Sequence, residues 1–285
     1  MNVAYSRFVA LRKLRRLEVV RRIQRYRFAR SYFAPRLSDA RSWAIKRTES
    51  DNFYYELTQK NELELAGLLS VVLGQPMSRI VSYFDEIRSN EQLRQHIEAF
   101  LRRDPSLRDA KVGFGRRIGW YACVRAMKPD LVVETGVHHG VGALVIIAAL
   151  MRNREEGSNG RYLGTDIDPN AGVLISGAFA GWGDVAIADS QETLSSLEDV
   201  VDVFINDSDH SAEYEAAEYA VIAPKLASQS LVLGDNSHVT SALAEFAKSH
   251  SRPYVFFREQ PDQHWYPGAG IGISPSQVPL LSDLT

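Results

Sequence analysis

The spacing of apolar and polar positions divides the chain into three stretches. In residues 1–47, apolar residues recur at every third position between arginines, from Phe8 to Ile23, and predict a basic amphipathic helix that ends before Pro35. Residues 48–112 carry apolar residues at helical spacing and are interpreted as a helical cap region. The helices predicted in that region are Glu62–Leu73, Met77–Arg88 and Glu91–Arg103.

From residue 113 to residue 285 the pattern changes to short apolar runs that alternate with helical patterns. This alternation predicts an α/β domain with a seven-stranded, mostly parallel sheet and crossover helices. The last two strands are joined without a helix, so they are expected to form an antiparallel pair at one edge. The predicted strands are Leu131–Glu134, Tyr162–Asp166, Val185–Ala188, Val201–Asn206, Leu231–Gly234, Tyr254–Arg258 and Gly270–Ser274, and the predicted helices include Val141–Arg152, Ala212–Ala223 and Thr240–His250.

An acid stands at or just after the end of each of the first five predicted strands. In an open parallel sheet, the carboxyl ends of the strands share one edge, and ligands bind in the crevice there. Five carboxylates on one edge would repel one another without a cation or a hydroxylated ligand between them. A single acid after a strand is often only a helix cap, but five in succession indicate a site. They are Glu134, Asp166, Asp189, Asp207 and Asp235.

The loop after the first predicted strand is rich in glycine. It reads Glu-Thr-Gly-Val-His-His-Gly-Val-Gly, and its glycine spacing differs from the Gly-x-Gly-x-x-Gly that seats a dinucleotide pyrophosphate. Glu134, two residues before the first glycine, suits a ligand with an ammonium group better than one with phosphates. Asp166 follows 32 positions later, which fits one β-α-β unit, and it is placed to accept both hydroxyls of a ribose.

These motifs resemble the class I S-adenosylmethionine-dependent methyltransferases over roughly residues 113 to 274. The resemblance rests on ETGVHHG, LGTDIDP, ADSQETL, VFINDSDHS and LVLGDN, and it implies a Rossmann-like sheet that binds S-adenosyl-L-methionine. Many of these enzymes have glycine where this chain has His138, so the loop is expected to be bulkier here. The resemblance implies that cofactor-binding residues are Glu134, Gly136, His138 and Gly140 at the methionine end, Asp166 at the ribose, and Asp189 with Ser190 at the adenine.

Two of the motifs are similar to the metal-dependent O-methyltransferases of the catechol, caffeoyl-CoA and macrocin types. They are VDVFINDSDHS and LVLGDN. By this resemblance Asp207, Asp235 and Asn236 would bind Mg²⁺ or another divalent cation, and His210 would be the general base. A hard cation prefers oxygen ligands and leaves positions open for substrate oxygens, and a histidine can take a proton near neutral pH.

Plainer interpretations of the same residues exist. Asp207, Asp209 and Ser211 could simply cap the helix that starts near Ala212, and Asp235 with Asn236 could form a turn. His210 could be a buried histidine with satisfied hydrogen bonds. Asp209 could be a ligand, a cap or a partner that orients His210.

Other polar residues carry weaker signals. His238 could face substrate or solvent, and Gln263–Tyr266 are interpreted as a surface loop between the last two strands. The helix before the first strand carries two arginines that could meet an acidic substrate, but a solvated helix face is the interpretation preferred. That helix contains Arg116, Arg117, Trp120 and Tyr121, and also Cys123, which is expected in the core.

The net charge of −2 conceals an asymmetry. Residues 1–47 contain 14 Lys and Arg against two acids, a balance of +12, which leaves −14 for residues 48–285. The basic arm could contact an anionic membrane surface or nucleic acid, or be a transit peptide; equally, it could cover the acidic body or a second subunit in a homodimer.

A single cysteine indicates a reduced, cytoplasmic setting, and we expect neither a transmembrane helix nor a secretory signal.

The sequence thus predicts metal-assisted O-methylation of a small hydroxylated molecule such as a sugar, a diol or a catechol. Three alternatives stay open at this point. The first is a metal-independent methyltransferase acting on a carboxylate, an amine or nucleic acid. The second is a nicotinamide-dependent oxidoreductase, which the glycine spacing disfavours. The third is a non-catalytic scaffold with a Rossmann-like body.

Overall fold

Two compact units make up the chain in the computed structural model. One consists of residues 1–47 and 263–266, and the other of residues 48–262 and 267–285. The structure describes residues 3–47, 55–103 and 111–278, with residues 3–16 described by their backbone alone. The further division of the second unit into a cap and a methyltransferase domain stays a prediction.

In the first unit, helix α1 spans Val3–Lys46 and contains Pro35. The prediction that this helix ends before Pro35 is therefore wrong. A proline inside a helix removes one backbone hydrogen bond and crowds the preceding turn, which can kink a helix without ending it. Residues on both sides of Pro35 include good helix formers such as Ala34 and Arg36, and the helix continues for three turns beyond it.

The expectation of one apolar stripe on this helix is also wrong. A step of three residues falls 60° short of a full turn at 100° per residue, so the five steps from position 8 to position 23 wind around the helix instead of following one face. Leu17, Val20 and Ile23 are each about half exposed, and aromatic residues such as Phe28 and Tyr32 are more exposed still. In the same unit, the rings of Trp43 and Trp265 lie 5.5 Å apart.

The second unit begins with helices whose bounds follow the sequence prediction closely. The Oγ1 of Thr58 caps the first of them by accepting the Asn61 amide at 3.3 Å, and Gly74 ends it in the left-handed conformation that glycine tolerates. These helices are α2 (Gln59–Leu73), α3 (Met77–Arg88) and α4 (Glu91–Leu101), followed by α5 (Arg117–Met127).

Seven strands in the described residues form one sheet in the order β3-β2-β1-β4-β5-β7-β6. The first five pair in parallel, and β7 pairs antiparallel with both β5 and β6. The order reverses between β1 and β4, which is the switch point where ligands bind in open α/β sheets. The strands are β1 (Leu131–Thr135), β2 (Arg161–Asp166), β3 (Gly183–Ile187), β4 (Val201–Asn206), β5 (Leu226–Asp235), β6 (Val255–Arg258) and β7 (Gly270–Pro275).

Helices cover both faces of this sheet. Alternate strand residues face opposite ways, so that Val132 packs with the larger apolar cluster of α2 to α5 and Val133 with the smaller one. Helix α6 is buried along most of its length in the larger cluster. The crossover helices are α6 (Val141–Glu155), α7 (Ser190–Ser196), α8 (Ala212–Ile222) and α9 (Ala242–Ser249).

The predicted fold class is confirmed: the sheet is Rossmann-like, mostly parallel, with antiparallel pairing at the β5-β7-β6 edge and helices before it. One local expectation fails, because α5 is not a solvated helix face: Arg116, Trp120 and Tyr121 are buried at or near its start. Cys123 lies in the core as expected, and burial raises its pKa to about 12.

None of the described helices combines the length and apolar composition needed to cross a membrane.

Candidate functional site

A pocket of about 370 Å³ opens at the carboxyl edge of the sheet, at the switch point. Six of the residues predicted from the sequence line it, so acids and glycine from separate loops converge as expected from the sheet order. Tyr214 also lines it, which the sequence analysis did not anticipate. The predicted residues in the lining are Gly136, His138, Asp166, Asp189, Ser190 and Asp207.

Gly136 allows the loop after β1 to lie directly on the loop after β4. Its φ is +81°, and a side chain at this position would overlap the backbone carbonyl of Asp207. The Asp207 amide in turn donates to the Thr135 carbonyl at 2.9 Å. Gly136 therefore allows close backbone contact between the loop after β1 and the loop after β4.

Asp166 is held by the backbone of its own loop and of the loop after β1. One carboxylate oxygen accepts the His138 amide at 2.8 Å and the other accepts the Asp168 amide at 2.9 Å. His138 has a φ of +49°, a conformation that glycine adopts most easily, although its side chain still lines the pocket. Asp166 thus lines the pocket in a fixed orientation.

Asp189 and Ser190 lie at the start of α7, and both contact Tyr214. The Asp189 carboxylate accepts the Gln191 amide at 2.8 Å, which caps the helix, and the Tyr214 hydroxyl at 3.0 Å. The hydroxyls of Ser190 and Tyr214 lie 2.9 Å apart. This end of the pocket is therefore organised around a tyrosine from α8.

Glu218 on α8 lies behind this wall and is fully buried. Its carboxylate accepts hydrogen bonds from Thr135 at 3.1 Å and from Ser208 at 2.8 Å, in addition to shorter ones from Ser190 and Asn206. Burial raises the pKa of Glu218, and these donors oppose the rise. One side chain therefore ties together the ends of β1 and β4 and the start of α7.

Glu134 does not line the pocket. It is 1% exposed at the end of β1, where the Tyr162 hydroxyl donates to its carboxylate at 2.6 Å. Burial raises the pKa of Glu134 to about 8, against the opposing effects of the Tyr162 hydrogen bond and the Arg117 charge. Gly140, another predicted contact, is the N-terminal cap of α6 at a φ of +95° and lies outside the pocket lining as well.

Glu134→Gln is expected to make the protein more stable at pH 8 than the wild type, and the advantage should shrink towards pH 5. A carboxyl whose folded pKa is raised from 4.5 to about 8 favours folding below the lower value and loses that contribution as pH rises. We expect a gain of roughly 2–4 kcal/mol in the free energy of unfolding at pH 8. Urea unfolding at both pH values measures it, and a constant difference would contradict the raised pKa.

Next to the pocket, Asp207, His210 and Asp235 form a cluster of possible metal ligands. One ligand atom from each lies within 4.8 Å of the others. Asn236 completes the group, because its Nδ2 lies 2.9 Å from His210 Nε2. The structure thus brings together the three residues proposed as metal ligands and the residue proposed as base. Asp207 belongs to both the cluster and the pocket.

Asp235 has a cationic partner already. The Arg116 guanidinium donates to both oxygens of its carboxylate through Nε and Nη2, and donates through Nη1 to Glu259 at 3.0 Å. The Tyr55 hydroxyl donates to the same Glu259 oxygen at 2.7 Å. Arg116 is therefore a buried part of the site.

The two aspartates of the cluster have opposite protonation tendencies. Burial raises the pKa of Asp207 well above its usual value, and the facing Asp235 carboxylate raises it further. Burial would also raise the pKa of Asp235, but the Arg116 guanidinium outweighs burial and holds it at about 2. The surroundings therefore favour the neutral form of Asp207 and the ionised form of Asp235.

His210 is oriented by Glu215 on α8. Its Nδ1 lies 3.4 Å from the Glu215 carboxylate, which is 2% exposed and also accepts the Thr240 hydroxyl. With a proton on Nδ1, Nε2 carries the lone pair, which accepts the Asn236 amide at 2.9 Å, and this nitrogen lies 3.8 Å from Asp207 Oδ1. The basic nitrogen thus faces the proposed metal ligands.

Asp209 and His238 are the remaining residues noted in these loops. The Asp209 carboxylate accepts the Ser211 amide at 2.7 Å, which is the cap interpretation, and Glu215 instead of Asp209 orients His210. His238 is exposed.

Sequence reasoning missed the buried acids and arginines around the site. Glu215 and Glu218 were not singled out, although acids three residues apart among apolar positions of a helix indicate buried carboxylates. Arg116 was assigned to solvent. Nothing in the sequence pairs it with Asp235, which lies 119 positions away.

Comparison with known protein families identifies the domain. Residues 133–237, from within β1 to just after β5, match the model of a family described as a methyltransferase domain. This match and the Rossmann-like strand order confirm the predicted resemblance to class I methyltransferases. They indicate a methyltransferase and not a nicotinamide-dependent oxidoreductase. A search of curated proteins found no match.

Solved structures similar to this chain include methyltransferases from fungi and bacteria. The Podospora anserina methyltransferase PaMTH1, bound to SAH, is 15% identical, with 69% of this chain and 93% of that chain covered and a TM-score of 0.48. The O-methyltransferase TomG from Streptomyces achromogenes is 13% identical, covering 66% and 90%, with a TM-score of 0.49. An O-methyltransferase from Bacillus cereus is 12% identical, covering 76% and 98%, with a TM-score of 0.48. The identification rests on the domain match.

Proposed function

We propose that the protein is an S-adenosylmethionine-dependent O-methyltransferase that acts, with a divalent cation, on a small hydroxylated molecule. The observation that carries the proposal is the position of Asp207. It lines the pocket assigned to the cofactor and also belongs to the cluster with His210 and Asp235. A hydroxyl held at the cluster would therefore lie beside the pocket from which the methyl group comes.

The donor set of the cluster suits a small divalent cation. Asp235 is buried and Asp207 is half-buried, their carboxyl oxygens lie within 4.8 Å of each other, and a proton on Asp207 would relieve their repulsion. A cation would take the place of that proton, with Asp207, Asp235 and Asn236 as ligands, and would share Asp235 with Arg116. Bound there, Mg²⁺ or a similar ion supplies charge that lowers the pKa of an acceptor hydroxyl.

His210 is the proposed general base. Its Nε2 faces the ligand side of the cluster, while Glu215 fixes the ring through Nδ1 and stabilises the imidazolium formed when Nε2 takes the hydroxyl proton. The acceptor oxygen can then bond to the methyl carbon as the sulfonium bond breaks. Asp166, Asp189 and Tyr214 would hold the nucleoside part of the cofactor in the meantime.

Calorimetric titration with S-adenosylhomocysteine, with and without Mg²⁺, is the first test, followed by turnover on hydroxylated acceptors. We expect His210→Ala to lower turnover by about 10²–10⁴-fold and to leave S-adenosylhomocysteine affinity unchanged. His250→Ala, an exposed histidine on the C-terminal cap of α9, is the matched control. If wild-type protein failed to bind S-adenosylhomocysteine, or if chelation and His210→Ala both left turnover intact, the proposal would be wrong.

The ion pair between Arg116 and Asp235 favours one alternative, a metal-independent methyltransferase. In that case the guanidinium would be the permanent cation of the site, and Asp207 would keep its proton. The same experiments separate the two functions, because the alternative requires that chelators and added Mg²⁺ change nothing. The partner of the basic arm and a cytoplasmic location stay predictions.

A further inference from the structure

Two neighbouring arginines at the start of α5 differ in their partners. Arg116 forms ion pairs with Asp235 and Glu259. Arg117 forms no ion pair and no side-chain hydrogen bond with any part of the chain that the structure describes, and its Nε is buried without a partner. A buried guanidinium nitrogen that lacks an acceptor carries a desolvation cost, so an acceptor that the protein itself does not provide is indicated.

Arg117 is close to the proposed site. Its guanidinium lies over the Trp120 ring, 5.6 Å from the ring centroid, and this contact restricts its orientation. A Cβ at Gly142 would overlap the Glu134 carboxylate and meet the Trp120 ring at 2.8 Å, so this ring reaches the end of β1. Arg117, unpaired among the described residues, thus lies over a ring that borders the end of β1 and follows directly on Arg116, which forms an ion pair in the metal cluster.

We propose that Arg117 binds a carboxylate of the ligands that occupy this site. The proposal rests on the proposed function and extends it, because it assigns an anionic group to what the site holds. The planar guanidinium presents paired N–H donors that match the two oxygens of a carboxylate. The acids around Arg117 are already engaged, Glu134 by Tyr162 and Asp235 by Arg116.

Two ligands could supply this carboxylate. One is the amino-acid end of the cofactor, and the other is an acceptor that carries a carboxylate next to its hydroxyl groups. S-adenosylhomocysteine has the amino-acid end, whereas 5′-methylthioadenosine lacks it. In the same way, 3,4-dihydroxybenzoate carries a carboxylate that catechol lacks. The two matched pairs therefore distinguish the sources.

The test is calorimetry of wild-type protein, Arg117→Met and Arg117→Lys with these four compounds, the phenols being added to Mg²⁺-containing protein saturated with S-adenosylhomocysteine. Arg154→Met is the matched control, because Arg154 also lies over a tryptophan, Trp182, at 5.2 Å and forms no ion pair with the described residues. Methylthioadenosine affinity also reports whether the pocket of each variant is intact.

If the cofactor supplies the carboxylate, Arg117→Met should weaken S-adenosylhomocysteine binding by about 10- to 100-fold and leave methylthioadenosine within twofold, with Arg117→Lys intermediate. If the acceptor supplies the carboxylate, Arg117→Met should weaken 3,4-dihydroxybenzoate binding by the same factor and leave catechol affinity unchanged. Equal affinities of Arg117→Met and wild type for both carboxylates, with wild type binding S-adenosylhomocysteine, would overturn the proposal and leave the proposed function standing. Failure of wild type to bind S-adenosylhomocysteine would count against the proposed function itself.

Discussion

Asp207→Asn is expected to stabilise the metal-free protein and at the same time to remove its stabilisation by Mg²⁺. Burial and the facing Asp235 carboxylate raise the pKa of Asp207, so its ionised form opposes folding. Stability from such a group is present at low pH and is lost as pH rises, so the gain from asparagine should grow from pH 5 to pH 8. We expect about 1–3 kcal/mol at pH 8.

The same substitution removes a charged oxygen ligand. In wild-type protein, Mg²⁺ at a hundred times its dissociation constant would add about 2.7 kcal/mol to the free energy of unfolding. Asp207→Asn should show almost none of this increase in urea unfolding with and without Mg²⁺.

Asp209→Asn is the matched control for this experiment. It lies two residues away and is exposed, and its carboxylate accepts the Ser211 amide, which an asparagine side chain can also accept. The control should keep the Mg²⁺ response. If Asp207→Asn instead lowered stability in the absence of metal and kept the Mg²⁺ response, Asp207 would be a structural cap and not a ligand.

The fold could be predicted largely from periodicity. Short apolar runs bounded by acids and glycine identified all seven strands to within a few residues, since strands buried on both faces leave a strong signal in the sequence. The largest error in a strand is at the start of β5, which begins at Leu226 instead of Leu231, because the polar residues 228–230 interrupt its apolar run. Pro35 predicts a helix end that the structure does not have, because the helix formers around it outweigh one lost backbone hydrogen bond.

The site could be predicted in part, and the limit has a physical cause. Acids that end parallel strands meet at one edge of the sheet. The sequence alone therefore predicted that Asp166, Asp189 and Asp207 lie together, and all three line one pocket. The sequence does not say which neighbour neutralises each buried charge. Glu134 is predicted to face a ligand, and in the structure its carboxylate accepts the Tyr162 hydroxyl, a pairing that depends on side-chain packing across two strands.

The charge balance of the cluster links its structural and functional roles. Arg116 holds the pKa of Asp235 at about 2, whereas burial and the Asp235 carboxylate raise the pKa of Asp207, so a cation at the cluster would replace a proton that Asp207 favours. One buried arginine therefore sets how much further positive charge the cluster can accept. Removing Arg116 should destabilise the metal-free protein and strengthen cation binding, because the acids are then left without a counter-charge.

Arg116→Met is accordingly expected to destabilise the metal-free protein by about 3–5 kcal/mol, the cost of leaving buried carboxylates unpaired. Mg²⁺ should restore more stability to this variant than it adds to wild type. Arg161→Met is the matched control, because Arg161 forms an exposed pair with Asp199 at 2.7 Å, and such pairs contribute about 0–1 kcal/mol. Urea unfolding of both variants, with and without Mg²⁺, measures the effect.

Glu259→Gln in the Arg116→Met background distinguishes charge from lost packing. Glu259 is fully buried and is the second carboxylate that Arg116 pairs, so neutralising it should recover part of the lost stability if unpaired charge is the cause. If the double variant were as unstable as the sum of the two single variants, the destabilisation would come from packing. Arg116 would then not control the charge of the cluster.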